Sequence, residues 1–234
     1  MELEGKLIII TGVSKGIGLA TAQTLLENGA VVAGWGRNKP QFEHPNFHFF
    51  QTNVQSQESV ENAFQETTAR LGSEIAGLIN NAGFGIAGKF EEQKVEDWQA
   101  MFRTNVDGIF FCTRLVLPGM KKQGYGHIIN ISSIAGTTGI EEMSGYCATK
   151  HAVRGISQSL YKEVRNYGVK VTCIYPGSVQ TNFFDNIDSV TANENMMQPS
   201  DIASTILHVL QSPPNYHHVD IEVRPLMPKG RQKQ

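Results

Sequence analysis

Short apolar, β-branched runs alternate along this chain with stretches whose apolar residues recur every three or four positions. Leu7-Ile8-Ile9-Ile10 has no polar position to face solvent, so it is predicted to be a strand buried on both faces, closed by Thr11-Gly12. A helix is predicted over residues 17–28, stopped by Gly29. Strands are predicted at 30–33, 47–51 and 75–79, while Val60, Ala63, Phe64 and Leu71 give residues 57–71 a helical period. Two long helices at 105–123 and 145–167 flank a strand at 127–131. A strand at 169–175 halts at Pro176-Gly177, Pro199-Ser200-Asp201 starts a helix through 202–210, and a last strand falls at 219–223. Repeated β-α-β units call for an α/β fold, a doubly wound parallel sheet of about seven strands with helices on both faces. Ligands of such sheets bind at the carboxyl ends of the strands.

Composition narrows this picture. A chain of 234 residues suits one large domain spanning 1–234, because division would leave two small ones. Twenty Lys and Arg against 22 Asp and Glu leave a net charge of -2, without the clustered basic excess that a nucleic-acid surface needs. The basic cluster Lys229-Gly230-Arg231-Gln232-Lys233 is expected to be a solvated end within a flexible tail from about 226. Cys112, Cys147 and Cys173 are widely spaced and form no C-x-x-C, so neither a disulfide framework nor a zinc site is expected, and a cytoplasmic location fits. Residues 1–5 carry two acids and no basic run, which does not match a signal peptide. No apolar run approaches the ~20 residues that span a bilayer, so no membrane association is expected. The seven histidines are scattered, His217-His218 is taken as a loop pair, and no metal is expected.

Candidate chemistry lies at the ends of the predicted strands. Thr11-Gly12-Val13-Ser14-Lys15-Gly16-Ile17-Gly18 follows the first strand and opens the first helix, where glycines admit a pyrophosphate to backbone N–H groups and the positive end of the helix dipole. Asn80-Asn81-Ala82-Gly83 ends the fourth strand, Asn105 sits in Thr104-Asn105-Val106, and Asn130-Ile131-Ser132-Ser133 ends the fifth. Tyr146 and Lys150, spaced i, i+4, share one helix face, roughly 5–6 Å apart at Cβ. Tyr175-Pro176-Gly177 follows, with Val179 and Thr181. In this order and spacing, from about residue 6 to 223, the chain resembles the short-chain dehydrogenase/reductase family, whose fold is a Rossmann-type sheet.

The resemblance assigns roles. Tyr146 would donate a proton to a carbonyl oxygen during reduction, or remove it during oxidation. Lys150 would bind the nicotinamide ribose and bias the Tyr146 pKa downward. Ser133, thirteen residues before Tyr146, would orient the reacting oxygen, and Ser132, pointing to the opposite face, would be structural. Asn105 would hold a water linking Lys150 to solvent. Bringing a phenol from ~10 to neutrality takes roughly 4 kcal/mol, more than one lysine supplies at a wet site. An oxidised nicotinamide would help. Reduction starts from the neutral cofactor, so in that direction Tyr146 must stay protonated until an alkoxide forms.

The expected cofactor is NADP(H). Relatives that bind NAD place an acid at the end of the second strand to hold the ribose. Here Gly36, Arg37 and Asn38 stand there, and no acid occurs over residues 30–41. Arg37, with Lys15 on the same side, suits a 2′-phosphate. Gly12, Ser14, Gly16, Ile17, Gly18, Asn80, Asn81, Ala82, Gly83, Pro176, Gly177, Val179 and Thr181 complete the expected cofactor contacts, with Tyr146 and Lys150. Where the family has Asp-Val, this chain has Asn53-Val54, a changed adenine contact whose amide still accepts a hydrogen bond.

A small carbonyl or alcohol substrate is expected between residues 84–90, residues 134–144 and a short lid at 178–198, with Phe183-Phe184 and Met196-Met197 forming the lid's apolar inner face. Glu141, Glu142 and Met143 precede Tyr146 closely enough to touch substrate, though exposed loop acids are the commoner reading. Ile109, Phe110, Leu115 and Val116 suit either plain core or the subunit interface of a homodimer or homotetramer, as in relatives.

Overall fold

The protein is described by a computed structural model over residues 1–181 and 195–228. Seven strands are present: β1 (Leu7–Thr11), β2 (Val31–Gly36), β3 (Phe47–Gln51), β4 (Ile75–Asn80), β5 (Gly126–Ile131), β6 (Val169–Pro176) and β7 (Asp220–Val223). They form one sheet in the order β3-β2-β1-β4-β5-β6-β7, every neighbouring pair parallel. Every residue of β1, β4 and β5 is buried, as their unbroken apolar runs require.

Alternate side chains of β1 enter two separate cores. Ile8 and Ile10 pack with Leu25 and Leu26 of α1 (Gly16–Glu27) and with Ile202 and Ile206 of α6 (Pro199–Gln211). Leu7 and Ile9 face the other way, toward Val60 of α2 (Gln57–Leu71) and Cys112, Val116 and Met120 of α4 (Gly108–Gln123). Helices thus cover both faces. The chain runs outward from β1 to β3 and returns to place β4 on the other side of β1, which opens a crevice above β1 and β4. Of the apolar α4 residues, Ile109 and Val116 are core, Leu115 packs against that core, and Phe110 is 55% exposed.

Three elements differ from the sequence reading. β2 continues past residue 33 to Gly36, because Trp35 is fully buried and its Nε1 donates to Thr67 Oγ1 at 3.0 Å. A short helix, α3 (Val95–Phe102), precedes a π-helical turn, Arg103–Asp107, which delays the start of α4 to Gly108. The other long helix, α5 (Ser144–Val164), ends in a 3₁₀ turn, Arg165–Tyr167.

Val179 bridges to Met197 across the base of the expected lid. Met197 packs into the main core with Val179 and Ile202 instead of facing a substrate, and Met196 is 8% exposed. Phe183-Phe184 and the basic cluster at 229–233 lie outside the described residues. Among the described residues no helix is long and apolar enough to cross a membrane.

Candidate active site

The turn after β1 is shaped by its glycines. Gly12 and Gly16 have φ of +75° and +60°, where a side chain is strained. A Cβ on Gly18 would lie 2.2 Å from Gly12 O. The residue before α1, Lys15, supplies no side-chain cap, and the first turn holds no acid. The orphan N–H groups of that turn and the helix dipole therefore remain for an anion, as a dinucleotide's pyrophosphate requires. Ile17 packs against the main core.

The end of β4 buttresses this turn. Asn81 Nδ2 donates to the carbonyls of Thr11 (2.9 Å) and Gly12 (3.1 Å), and the N–H groups of Asn81 and Ala82 both donate to Thr11 Oγ1 at 3.0 Å. Asn80 is not part of the crevice. Its Nδ2 donates to Asn130 Oδ1 (2.8 Å) and Thr113 Oγ1 (3.2 Å) in the buried layer beneath, because adjacent strand residues face opposite sides. The expectation that Asn80 touches cofactor is corrected accordingly.

Ser14 Oγ donates to the Asn38 carbonyl at 2.8 Å, tying the glycine turn to the end of β2. Arg37 and Lys15 are exposed beside this join, and Gly36 is buried. Asn53 is exposed and its Oδ1 accepts the Gln55 N–H at 3.2 Å, while Val54 is buried against Gly108. On the far side, the Gly177 N–H after Pro176 donates to Val223 O at 2.7 Å. Val179 is buried, and the Thr181 methyl would lie 3.4 Å from a Cβ on Gly16, so this segment reaches the glycine turn.

The proton-handling groups gather at the end of β5. Tyr146 and Lys150 project from α5 and are 7% and 5% exposed. Ser133 hydrogen-bonds the Tyr146 phenol and accepts the Ala135 N–H at 3.1 Å. Ser132 faces away and donates to the Lys150 carbonyl at 3.0 Å, so the two serines divide as their alternation predicts. Lys150 Nζ donates to Ile131 O at 2.8 Å and stands 5.7 Å from the centroid of the Tyr146 ring. A Cβ on Gly83 would come within 3.5 Å of that Nζ.

Burial decides the electrostatics. It pushes the Tyr146 phenol well above its ordinary value, with the Ser133 hydrogen bond pulling part of the way back and Cys147 adding a smaller upward push. Burial also lowers the Lys150 ammonium to about 8, opposed in part by Cys173. The expected downward bias of Tyr146 by Lys150 is thus outweighed by desolvation. Tyr146 is a neutral acid in this state.

Asn105 is braced on both sides of the site. Its Nδ2 donates to Phe84 O and Thr149 Oγ1, both at 2.9 Å, and its Oδ1 accepts the Phe84 N–H at 3.1 Å. The side-chain amide is committed to protein partners and ties the loop after β4 to α5. Thr149, which sequence reasoning passed over, is fully buried and also donates to Tyr146 O at 2.8 Å. Its i+3 spacing from Tyr146 was the available signal.

A family model described as short chain dehydrogenase matches residues 6–191. The chain belongs to the short-chain dehydrogenase family. It is an oxidoreductase of that family, 34% identical to an uncharacterized oxidoreductase of Staphylococcus aureus (strain MRSA252) over 96% of this chain and 99% of that one. A counterpart from Staphylococcus saprophyticus is also 34% identical, covering 97% and 100%. The solved structure of a serine dehydrogenase complexed with NADP⁺, in its closed form, superposes with a TM-score of 0.89 at 28% identity, covering 97% of this chain and 98% of that one. ElxO with NADP bound gives 0.83 at 29% identity, covering 93% and 97%. The crevice of this short-chain dehydrogenase fits the nicotinamide dinucleotide its family uses, since the uncapped helix end and the glycine turn leave room and donors for the pyrophosphate.

Proposed function

We propose that this short-chain dehydrogenase is an NADPH-dependent carbonyl reductase that converts a small ketone or aldehyde to an alcohol. The observation that carries the reading is the hydrogen bond between Ser133 and a buried, neutral Tyr146 beside Lys150. Such a phenol is an acid awaiting a base, and the alkoxide formed by hydride addition is that base. When bound, the nicotinamide supplies the hydride chemistry. Tyr146 gives its proton to the nascent alkoxide, Ser133 orients the oxygen, and Lys150 supplies positive charge beneath the phenolate left behind. Alcohol oxidation is the same reaction reversed. A non-catalytic NADP(H) sensor would need neither the phenol nor its serine.

The preference for the phosphorylated cofactor rests on Arg37 and Lys15 at the end of β2, and on the absence of an acid there. The NADP-bound relatives at 28% and 29% identity agree with it. Tyr146→Phe should lower NADPH oxidation with a carbonyl panel by about 10²–10⁴-fold while NADPH still binds. Unchanged turnover would refute the mechanism. Arg37→Ala should weaken NADPH much more than NADH, and an equal effect on both would refute the phosphate argument. We further propose a homodimer or homotetramer, for which the exposed Phe110 face of α4 is available.

A further inference from the structure

The amino ends of β5, β6 and β7, opposite the nucleotide turn, carry histidines that take no part in this chemistry. His127 on β5 is 1% exposed, with Nε2 lying 2.8 Å from Thr172 Oγ1. Thr172 gives its only proton to the His218 carbonyl at 2.5 Å. His127 must therefore donate from Nε2, and its Nδ1 is buried without a hydrogen-bond partner among the described residues. Protonating Nδ1 would bury an unpaired charged donor.

His217 lies alongside. Its Nε2 is 2.9 Å from Val171 O and 3.2 Å from Val171 N, so the imidazole substitutes for a strand partner just before β7 begins to pair with β6 at Cys173 and Asp220. The rings of Tyr161 (5.0 Å) and His127 (6.0 Å) meet it edge-on. His218 packs against His208 of α6 (5.3 Å) and Tyr216 (4.7 Å), and its Nε2 is likewise buried and unpartnered among the described residues.

The nearby charges are mostly cationic. Lys170 of β6 is held by the carbonyls of Pro213 (2.6 Å) and Tyr216 (2.7 Å), and the Met1 amino group by Leu210 O (2.7 Å). Just past the end of α5, Arg165 lies over Tyr161 of that helix. Asp220 of β7 is committed to the Tyr175 hydroxyl (2.5 Å) and Gln158 (3.2 Å). Burial, then neighbouring imidazoles and cations, holds His127 well below the ordinary imidazole range. Burial holds His217 down as well, with the Val171 backbone pulling part of the way back.

β7 has four residues, yet it connects this cluster to the nucleotide crevice. Val219 O accepts the Cys173 N–H at 2.9 Å, and Val223 O accepts the Gly177 N–H at 2.7 Å. We propose that His127 and His217 form an acid-sensitive clasp on β7, with His208 and His218 packed beside them. Neutral imidazoles hold residues 212–219 against β6, and protonation frees β7 and with it the Gly177 turn, while β1 to β4 stay folded. The consequence for cofactor affinity rests on the proposed cofactor site; the strand release does not.

Hydrogen exchange on the intact protein from pH 7.5 to 5.0, corrected for chemical exchange rates, tests the clasp. Protection of the Cys173 and Gly177 amides should fall by about tenfold or more, the change that one pKa unit of depression gives. The Gly12 amide, bonded to Trp35 O at 2.7 Å, should stay protected. His217→Gln offers Val171 both an acceptor for its N–H and a donor for its carbonyl but cannot titrate, and should lose the share of the pH dependence that position 217 carries. Equal protection at both pH values, loss in step with Gly12, or an unchanged dependence in the variant would overturn the clasp. If the variant does not fold, imidazole proton titrations of the wild-type protein decide, since they must coincide with the Cys173 change. NADPH affinity, compared between variant and wild type at each pH, should diverge below about pH 6.5, the ordinary imidazole value. Parallel affinities alongside positive exchange data would refute the cofactor site and leave the clasp standing.

Discussion

Asn105 grips both backbone polar groups of Phe84, accepting its N–H at 3.1 Å and donating to its carbonyl at 2.9 Å. The bond to Thr149 adds α5 to the same junction, three residues past Tyr146. One amide therefore fixes the loop after β4 against the helix that carries the acid. Phe84, Ile86 and Ala87 of that loop pack on the cluster containing Met143 and Tyr146, the wall expected for substrate. Asn105→Ala would strand two backbone groups of Phe84, at a cost of about 1–3 kcal/mol in stability. Urea unfolding should show the loss, and KM for a carbonyl substrate should rise with the loosened wall.

The two serines after β5 should separate stability from turnover. Ser132→Ala removes a buried bond to the Lys150 carbonyl and should cost about 1 kcal/mol in urea unfolding. Ser133→Ala keeps the fold but leaves Tyr146 and the reacting oxygen without their hydroxyl. A kcat loss on the order of 10–100-fold is expected, smaller than for removing the acid itself. If both variants lose kcat equally, the division of roles is wrong.

Lys150 should leave a signature in stability against pH. Its pKa drops from an ordinary 10.5 to about 8 on burial, so between those values the unfolded chain holds more protons than the native one. Stability due to this group therefore rises with pH across the window and is lost as pH falls through about 8. Lys150→Met lacks the term. The stability difference between variant and wild type should change by about 3 kcal/mol across the window, and a flat difference would contradict the burial argument.

Glycines of unlike surroundings should respond oppositely to alanine. Gly18→Ala drives a methyl into Gly12 O and the Asn81 amide, which lies 2.5 Å from the Cβ position. The strain should cost about 1–3 kcal/mol and weaken NADPH binding, read by denaturation and by fluorescence titration. Gly155, in the middle of α5, has nothing within 4 Å of that position. There, alanine should stabilise by roughly 0.5–1 kcal/mol.

The chain's own pattern determined the parallel sheet, because strands buried on both faces have no polar positions and declare themselves as in residues 7–10. It also placed Ser133, Tyr146 and Lys150, since spacing along a strand end and one helix face is a local matter. Period two separated Ser132 from Ser133, whereas Asn80 and Asn81, both expected at the cofactor, were divided only by the structure. Tertiary structure decided the rest. Trp35 prolongs β2 because Thr67, on a distant helix, satisfies its indole. The π-helical turn at Arg103–Asp107 and the paired hydrogen bonds to Phe84 make Asn105 a brace as well, which its place in the sequence did not reveal. That Tyr146 stays protonated followed from the chemistry of reduction, but what holds the proton there was not legible in spacing. A lysine four residues away argues for a phenolate, but the depth of burial, set by several elements at once, holds the proton on.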